Sequence, residues 1–418
     1  MEEKNKSSLY KSFMIVIITA LITCIITTIV VYACVNKTGN AKPNSLIGNI
    51  VNTITNTFNT SDSNMSIEEK ITEIQQKIDD IYIGEIDEKK LIDSALEGYV
   101  QGLGDEYTEY LTEAEVTALM EEVNGSYVGI GVYIAQNIET NEILVVGVIE
   151  DSPAYKSGVL VGDVIKKVDN VEYLGEQLTQ ASNQMKGIEG TEVIVTIKRN
   201  EELIDLNIIR EKIKFNCVKS DKLENNIGYI KISSFDGGCA SDFEKEYKKL
   251  QNEGIKSLII DLRNNGGGLV DESLRIAELI VPKGSKMLIT KDKSNNTQIS
   301  TSNKEQIINM PIVILVNEYT ASASEILTAA IKENVNCKVI GTQTYGKGII
   351  QGIYSLKDEK TALKITMQEY YTPNENKIHK VGITPDIIIE LPEELKGQTS
   401  IEKQLDNQLK KSIEILSK

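Results

Sequence analysis

Residues 311–351 read PIVILVNEYTASASEILTAAIKENVNCKVIGTQTYGKGIIQ and contain the pattern that decides the fold. The apolar run at 312–316 predicts a buried strand, and a short polar turn separates it from a helical pattern that starts at Ser322. A second apolar run at 337–341 predicts another strand, after which Lys347 lies between two glycines. The order of elements is therefore strand, sharp turn, serine, helix, strand and lysine.

Ser322 occupies a position where a serine can act as a nucleophile. The start of a helix offers free backbone N–H groups and the positive end of the helix dipole, which together stabilise an oxyanion. The hydroxyl needs a base, but the only histidine, His379, lies in a polar turn. A lysine can act as this base when burial keeps its amine neutral. On residue types alone, Ser322 with Glu325 also fits a helix capping box, and Lys347 fits an ordinary loop.

The composition indicates a globular protein of two or three domains, because the 418 residues are 41% hydrophobic and 25% charged. With 45 basic and 61 acidic residues, the net charge of −16 argues against nucleic acid as a partner. The five cysteines show no metal-ligand spacing and no disulfide framework. We therefore expect neither a metal site nor a cofactor.

An N-terminal stretch, Phe13–Val35, runs for 23 residues without a charge and is long enough to cross a bilayer. Three lysines precede it and two follow it closely, which favours a cytoplasmic N-terminus. We predict an uncleaved, single-pass anchor at the cell membrane, with the body of the protein on the extracytoplasmic side. The alternatives are a signal peptide cleaved after Ala33 and lipoprotein processing at Cys34.

The sequence predicts a tether and a helical segment between the anchor and the rest of the chain. Residues 36–65 are rich in Asn, Thr and Ser, which is typical of a flexible linker. Ser66 and Glu69 form a predicted capping box, and isoleucines at 67–81 repeat at heptad spacing. This stripe, like the apolar stripe of the C-terminal helix at 396–418, is interpreted as a packing face, with a homodimer contact as the alternative.

From residue 213 the sequence alternates predicted strands and helices, which indicates an α/β core with a mixed sheet. A buried strand at 257–262 leads into the glycine-rich turn DLRNNGGG at 261–268. No Lys-Ser/Thr phosphate motif follows this turn, so nucleotide binding is not expected.

The segment around Ser322 resembles the catalytic core of the carboxyl-terminal processing peptidases, also called tail-specific proteases. These are serine peptidases with a Ser/Lys dyad and an embedded PDZ domain. Their pattern, S-A-S-E on a helix and then G-K-G-x-x-Q, stands here at 322–325 and 346–351. The resemblance implies Ser322 as nucleophile, Lys347 as general base and Gln351 as a supporting residue. An ideal strand would separate Lys347 and Gln351 by roughly 13 Å, so either a bend or a helical turn must lie between them.

The resemblance extends to the oxyanion hole. The glycine-rich turn is similar to the family's D-L-R-x-N-P-G-G, with Gly266 in place of the proline. The resemblance implies that the oxyanion is bound by the N–H groups of Ala323 and of Gly266 or Gly267. Ser324 is the competing nucleophile, and only the motif alignment favours Ser322 over it.

Residues 115–212 resemble a PDZ domain, because the motifs GIGV, SPA and GDVI follow one another in the family's order. In such domains, backbone N–H groups of a glycine loop receive the terminal carboxylate of a peptide. Lys186 stands where many relatives carry an arginine thought to sense the protease body, and lysine keeps the charge without the planar fork. The implied carboxylate-binding residues are Gly129, Ile130, Gly131 and Val132.

Together these features predict a membrane-anchored serine endopeptidase that recognises protein or peptide substrates with free C-termini through its PDZ domain. The PDZ domain is expected to obstruct the active site until a C-terminus binds. The alternatives are a catalytically silent PDZ scaffold at the membrane and an α/β enzyme of acyl-CoA chemistry. The predicted segments are a cytoplasmic stub with transmembrane anchor (1–35), a linker (36–65), a helical segment (66–114), the PDZ domain (115–212), the peptidase core (213–395) and a C-terminal helix (396–418).

Overall fold

The computed structural model describes residues 65–395 and 401–418. The predicted anchor at 13–35 and all but the last residue of the predicted tether lie outside the described residues. Within the described ranges, every helix is too short or too polar to cross a bilayer. The chain divides between Ile86 and Asp87 into two compact units.

The first unit contains helix α1, Ile67–Ile81. Its predicted capping box is confirmed, since the Ser66 hydroxyl accepts from the Glu69 N–H at 3.2 Å and the Glu69 carboxylate accepts from the Ser66 N–H at 2.8 Å. The isoleucine stripe stays exposed, and none of the residues of α1 is buried. The dimer contact proposed for this stripe therefore remains a prediction.

The second unit starts with elements that lead into the predicted PDZ region. Strand β1 pairs antiparallel with residues 362–364, far along the chain, and so belongs to a sheet of the core. A Thr112–Glu115 capping box starts the following helix, and Gly125 ends it in the left-handed conformation. The elements are α2 (Glu88–Gln101), β1 (Glu109–Leu111) and α3 (Glu113–Asn124).

Residues 126–214 form a β-rich domain with its own apolar core. Its main sheet has the strand order β3-β4-β5-β7-β8, with β6 paired to β5, while β2 and β9 form a separate pair where the chain enters and leaves. The elements are β2 (Ser126–Gly129), β3 (Val132–Asn137), β4 (Glu142–Val148), α4 (Pro153–Lys156), β5 (Val164–Val168), β6 (Val171–Glu172), α5 (Leu178–Met185), β7 (Glu192–Arg199), β8 (Glu202–Ile209) and β9 (Glu211–Lys214).

The remaining elements form the predicted α/β core, which the structure confirms. One sheet has the order β10-β11-β12-β15-β16-β19 and is parallel except at β10. The other is antiparallel, with the order β1-β18-β13-β14 and β17 beside β18. The elements are β10 (Val218–Lys222), β11 (Ile227–Ile232), α6 (Cys239–Asn252), β12 (Ser257–Asp261), α7 (Val270–Ile280), β13 (Lys286–Asp292), β14 (Thr297–Thr301), β15 (Ile312–Val316), α8 (Ala323–Asn334), β16 (Cys337–Gly341), β17 (Ile349–Ser355), β18 (Ala362–Tyr371), β19 (Ile387–Ile388) and α9 (Asn407–Leu416).

Both faces of the parallel sheet are covered, as its continuous apolar strands require. Leu258 and Ile260 of β12 point to the core cluster that also contains side chains of α6, α7 and α8. Ile259 points to the opposite cluster, where Leu409 of α9 packs. The C-terminal helix therefore covers the protein's own sheet. It begins at Asn407, later than the sequence pattern predicted, because Asp406 caps its first turn.

The topology brings the two polar turns of the motif together. Strands β12 and β15 are parallel neighbours, with Asp261 opposite Leu315. The glycine-rich turn leaves the carboxyl end of β12, and the turn to Ser322 leaves the carboxyl end of β15. Both turns therefore lie at the same edge of the sheet, where open α/β sheets place their active sites.

Candidate active site

Ser322 lies at a sharp turn immediately before helix α8, with φ 57° and ψ −120°. This region is sterically unfavourable for a residue with a side chain and is found mainly where the surrounding structure imposes it. Gly267 packs against the turn so closely that a Cβ atom on Gly267 would lie 2.7 Å from the Ser322 Cβ. The glycine-rich turn and the serine turn are therefore in direct contact.

The two serines of the motif have different environments. Among the hydrogen bonds of the described chain, none uses the Ser322 hydroxyl to cap α8, although the Ser322 N–H donates to the Glu325 carboxylate at 2.9 Å. Ser324 is fully buried, and its hydroxyl donates to the carbonyl oxygen of Asn265 at 3.0 Å. The Ser324 hydroxyl therefore holds the glycine-rich turn against α8, whereas Ser322 is only partly buried.

Glu325 is a fully buried carboxylate that joins the serine turn to the lysine segment. Besides the Ser322 N–H, it accepts hydrogen bonds from the N–H groups of Lys347 at 2.9 Å and Gly346 at 2.8 Å, and from the Thr344 hydroxyl at 2.5 Å. Burial raises the pKa of Glu325, and these hydrogen bonds oppose the rise. From the sequence, Glu325 was expected to take part in a capping box and to stand in the S-A-S-E motif. The sequence signal that could have indicated its burial is the position of this acidic residue within the otherwise apolar first part of α8.

Tyr370 makes a second link between the same two segments. Its side chain is almost fully buried, and its hydroxyl lies within hydrogen-bond distance of the carbonyl oxygens of Ser322 and Lys347. One hydroxyl proton serves one of these carbonyls at a time. Burial raises the pKa of Tyr370 well above its usual value, so this hydroxyl stays protonated. Backbone atoms of the serine turn and the lysine segment are therefore fixed relative to each other.

The Lys347 amine is half-buried, and its pKa is lowered from the usual value for lysine. Burial is the main cause and the nearby Lys364 ammonium adds to it, while Glu109 and other carboxylates oppose it. The Nζ atom lies 4.8 Å from the centre of the Tyr107 ring. A lowered pKa increases the fraction of neutral amine, which is the form that can accept a proton.

Ser322, Lys347 and Gln351 line one cavity of about 770 Å³. Gln351 reaches it from β17, whose register with β18 shifts between Ile350 and Gln351. Of the two alternatives, residues 347–351 therefore have an irregular strand and contain no helical turn. The Gln351 Nε2 atom is buried and has no hydrogen-bond partner within the described chain. Helix α3 forms part of the cavity wall through Leu119 and neighbouring residues. No group of three metal-ligating side chains occurs in residues 65–395 and 401–418.

Each of the two turns contains a backbone N–H group without an acceptor among the described hydrogen bonds. Within the described hydrogen bonds, the N–H groups of Ala323 and Gly266 have no acceptor, whereas the Gly267 N–H donates to the Asn265 side chain at 2.9 Å. The Asn265 side chain in turn donates to the carbonyl oxygen of Ile232 at 3.0 Å. Of the two glycines offered by the sequence, Gly266 therefore has the free donor and also lines the cavity.

The predicted carboxylate-binding loop, Gly129 to Val132, lines a separate cavity of about 120 Å³ in the β-rich domain. Gly131 has φ +85°, and a Cβ atom there would lie 2.3 Å from the Ser152 side chain, so only glycine fits. Lys186 lines the same cavity, and its ammonium pairs with Glu121 of α3 at 2.6 Å. Since α3 also lines the cavity of Ser322, one helix contacts both sites.

Family models match three successive parts of this chain. The model described as peptidase family S41 matches residues 226–389, and the PDZ domain model matches 126–209. The model described as the activating protease CtpB N-terminal domain matches 24–115. The fold and the site thus define a serine peptidase core with an inserted PDZ domain, as the motifs predicted.

Individual proteins are also similar to this chain. The probable CtpA-like serine protease of Staphylococcus aureus (strain COL) is 36% identical over 336 residues, which are 80% of this chain and 66% of that protein. The corresponding protein of Staphylococcus haemolyticus is 35% identical over 80% of this chain and 67% of its own. The solved photosystem II D1 C-terminal processing protease is 26% identical, covers 78% of this chain and 89% of its own, and has a TM-score of 0.46.

The chain belongs to the S41 peptidase family of CtpA-like serine proteases. It spans about two thirds of the length of the curated relatives, from 65% to 67%.

Proposed function

We propose that this protein is a membrane-anchored serine endopeptidase that acts outside the cytoplasm, recognises substrate C-termini through its PDZ domain and cleaves by a Ser322/Lys347 dyad. One observation carries the proposal. A serine in a strained turn and a lysine with a lowered pKa line the same cavity, and the buried Glu325 binds the backbone of both. The anchor at 13–35 rests on the sequence alone, as do the segment boundaries and the homodimer.

The mechanism follows from these groups. Neutral Lys347 removes the hydroxyl proton of Ser322, and the serine oxygen attacks the scissile carbonyl carbon. The resulting oxyanion accepts hydrogen bonds from the N–H groups of Ala323 and Gly266. The Lys347 ammonium protonates the leaving amine as the C–N bond breaks, and the neutral amine then deprotonates a water molecule that hydrolyses the acyl-enzyme. Gln351 supports Lys347 from β17.

The Ser322 assignment is tested by incubating the soluble body, residues 65–418, with an unfolded protein that has a free, apolar C-terminus. Ser322→Ala and Lys347→Ala are each expected to lower kcat/KM by about 10³-fold or more, because the two residues act as one unit. The rates of appearance of new peptide termini, followed by mass spectrometry, give the measurement.

Ser324→Ala is the comparison at the competing serine. It should lower kcat/KM by less than Ser322→Ala does, because it weakens the hold on the glycine-rich turn but leaves the proposed nucleophile in place. Equal cleavage by the wild type and the Ser322→Ala variant would refute the dyad. If the wild type cleaved nothing, the silent PDZ scaffold would be the better assignment.

Substrate selection through the PDZ domain leads to a second prediction. A peptide with a free apolar C-terminus should have a KM about 10-fold or more below that of its C-terminally amidated form, because hydrogen bonds to a charged group contribute ~1.5–3 kcal/mol. The loop from Gly129 to Val132 supplies the backbone donors, and Lys186, which is paired with Glu121, lines the same cavity. Steady-state kinetics on the peptide pair measure the difference, and equal KM values would argue against recognition of the carboxylate.

A further inference from the structure

The segment that precedes α3 covers the proposed general base. Residues 105–109, called the cover segment below, are fixed to the core because Glu109 pairs with Lys364 of β18 in the strand register and the Thr366 N–H donates to the Thr108 hydroxyl at 3.1 Å. Within this segment, the Tyr107 ring faces the Lys347 Nζ atom at 4.8 Å. The backbone at the ring is fixed as well, because the Tyr107 N–H donates to the Asp105 carboxylate at 3.3 Å.

The electrostatic surroundings of Lys347 divide into two opposing sets. The ring face of Tyr107 and the carboxylates of the cover segment favour the charged ammonium. Burial and the Lys364 ammonium favour the neutral amine, although Lys364 is itself paired with Glu109 at 2.6 Å. The titratable groups that face Lys347 or the cover segment are Asp105, Glu106, Glu109, Tyr345, Lys364 and His379.

The Lys347 amine faces the Tyr107 ring in this structure. A general base must come within hydrogen-bond reach of the Ser322 hydroxyl. Among the hydrogen bonds of the described residues, none joins Lys347 to the Ser322 hydroxyl, and the amine is instead directed at an aromatic face. An ammonium gains from that face and a neutral amine does not, so loss of the proton removes the reason to stay there.

We propose that Tyr107 is a positioning residue whose ring holds the protonated amine of Lys347 away from Ser322, so that the amine becomes available to the serine when it is neutral. This inference rests on the proposed dyad. No bond is made or broken at Tyr107. The lysine proton passes to solvent, and the neutral amine then accepts the proton of Ser322. The cover segment thereby sets the pH above which the dyad works.

The sign of the expected effect follows from the charge state. Removing the ring destabilises the ammonium, so Lys347 should lose its proton at lower pH. The acid limb of the pH profile of kcat/KM should therefore shift to lower pH. We expect Tyr107→Leu to shift this limb by about 0.5 to 1 pH unit, which is the range of an exposed to half-buried cation–π contact. Tyr107→Phe keeps the ring and removes the hydroxyl, so its limb should stay within about 0.2 unit of the wild type.

A second measurement does not depend on cleavage. Competitive acetylation of Lys347 by acetic anhydride between pH 6 and pH 11, quantified by peptide mass spectrometry in the Ser322→Ala background, reports the titration of the amine itself. Tyr107→Leu should shift this titration in the same direction and by a similar amount. If Tyr107→Leu does not fold, Tyr107→Met removes the ring with a side chain of comparable length. Circular dichroism establishes folding for each variant.

The outcomes separate this inference from the proposed function. If Tyr107→Leu shifted the acetylation titration but the wild-type protein cleaved no substrate, the result would support the role of Tyr107 and refute the dyad. If Tyr107→Leu lowered kcat at every pH but shifted neither the acid limb of kcat/KM nor the acetylation titration of Lys347, Tyr107 would be merely structural. That result would overturn the inference. Equal shifts for Tyr107→Phe and Tyr107→Leu would assign the effect to the hydroxyl and would overturn it as well.

Discussion

Replacing Glu325 by glutamine is expected to lower kcat about 100-fold and to change KM by less than about threefold, since small displacements of catalytic groups affect the chemical step most. The carboxylate accepts four hydrogen bonds, two from the serine and lysine backbones themselves. A glutamine side chain offers one oxygen and turns an NH₂ group toward N–H donors, so at least one buried donor loses its acceptor. Steady-state kinetics on a peptide substrate give both constants.

Glu333→Gln is the matched control for this prediction. Glu333 lies on the same helix, but its carboxylate is at the surface, where it accepts from Asn374 and Asn376. Its kcat should stay within about twofold of the wild type, as surface substitutions rarely matter. A Glu325→Gln enzyme with wild-type kcat would mean that the serine and lysine turns are held by other contacts, with Tyr370 the first to examine.

The contrast between Glu325 and the motif residues explains how far the sequence could predict this site. Strand β15, the turn, helix α8 and strand β16 have local patterns, so they were readable from a run of about forty residues. The partners of Glu325 lie beyond the next strand, and only the parallel pairing of β15 with β16 brings them back to α8. A capping box explained Glu325 equally well until that pairing was known.

Other features of the site depend on contacts between parts of the chain that are distant in sequence. The cover segment reaches Lys347 because β1 joins β18, and a three-residue strand carries no strong sequence signal. Likewise, the sequence offered both Gly266 and Gly267 as oxyanion donors. The choice between them depends on the Asn265 side chain, which turns back on its own loop to accept the Gly267 N–H. Side-chain conformations of this kind are decided by packing and have no periodic pattern.

Asp406→Ala is expected to lower the free energy of unfolding of the core by about 3 to 5 kcal/mol, which is typical when one partner of a buried ion pair is removed. The Arg263 guanidinium is buried between Asp261, at 2.6 Å, and Asp406, at 2.8 Å, and also donates to Gln408. Asp406 in addition caps α9 by accepting from the Leu409 N–H at 2.9 Å. Urea unfolding followed by circular dichroism measures the loss.

Lys403→Ala provides the comparison on the same tail, because Lys403 pairs with Asp221 where both side chains are more than half exposed. That pair should contribute less than about 1 kcal/mol. If the two substitutions lowered the free energy of unfolding equally, the buried ion pairs of Arg263 would stabilise the core no more than an exposed pair does.

The Asp406 variant should also lose activity, because Arg263 lies in the turn that leads to Gly266. Arg263 donates through its backbone and side chain to Asp261, and its guanidinium holds this turn against α9. Loosening the turn would displace the proposed oxyanion donor, and the loss of one such donor lowers kcat by about 10²–10³-fold. At urea concentrations where the variant remains folded, we therefore expect kcat to fall and KM to stay nearly constant. A variant that is destabilised but keeps its full kcat would show that the tail stabilises the sheet without positioning the oxyanion hole.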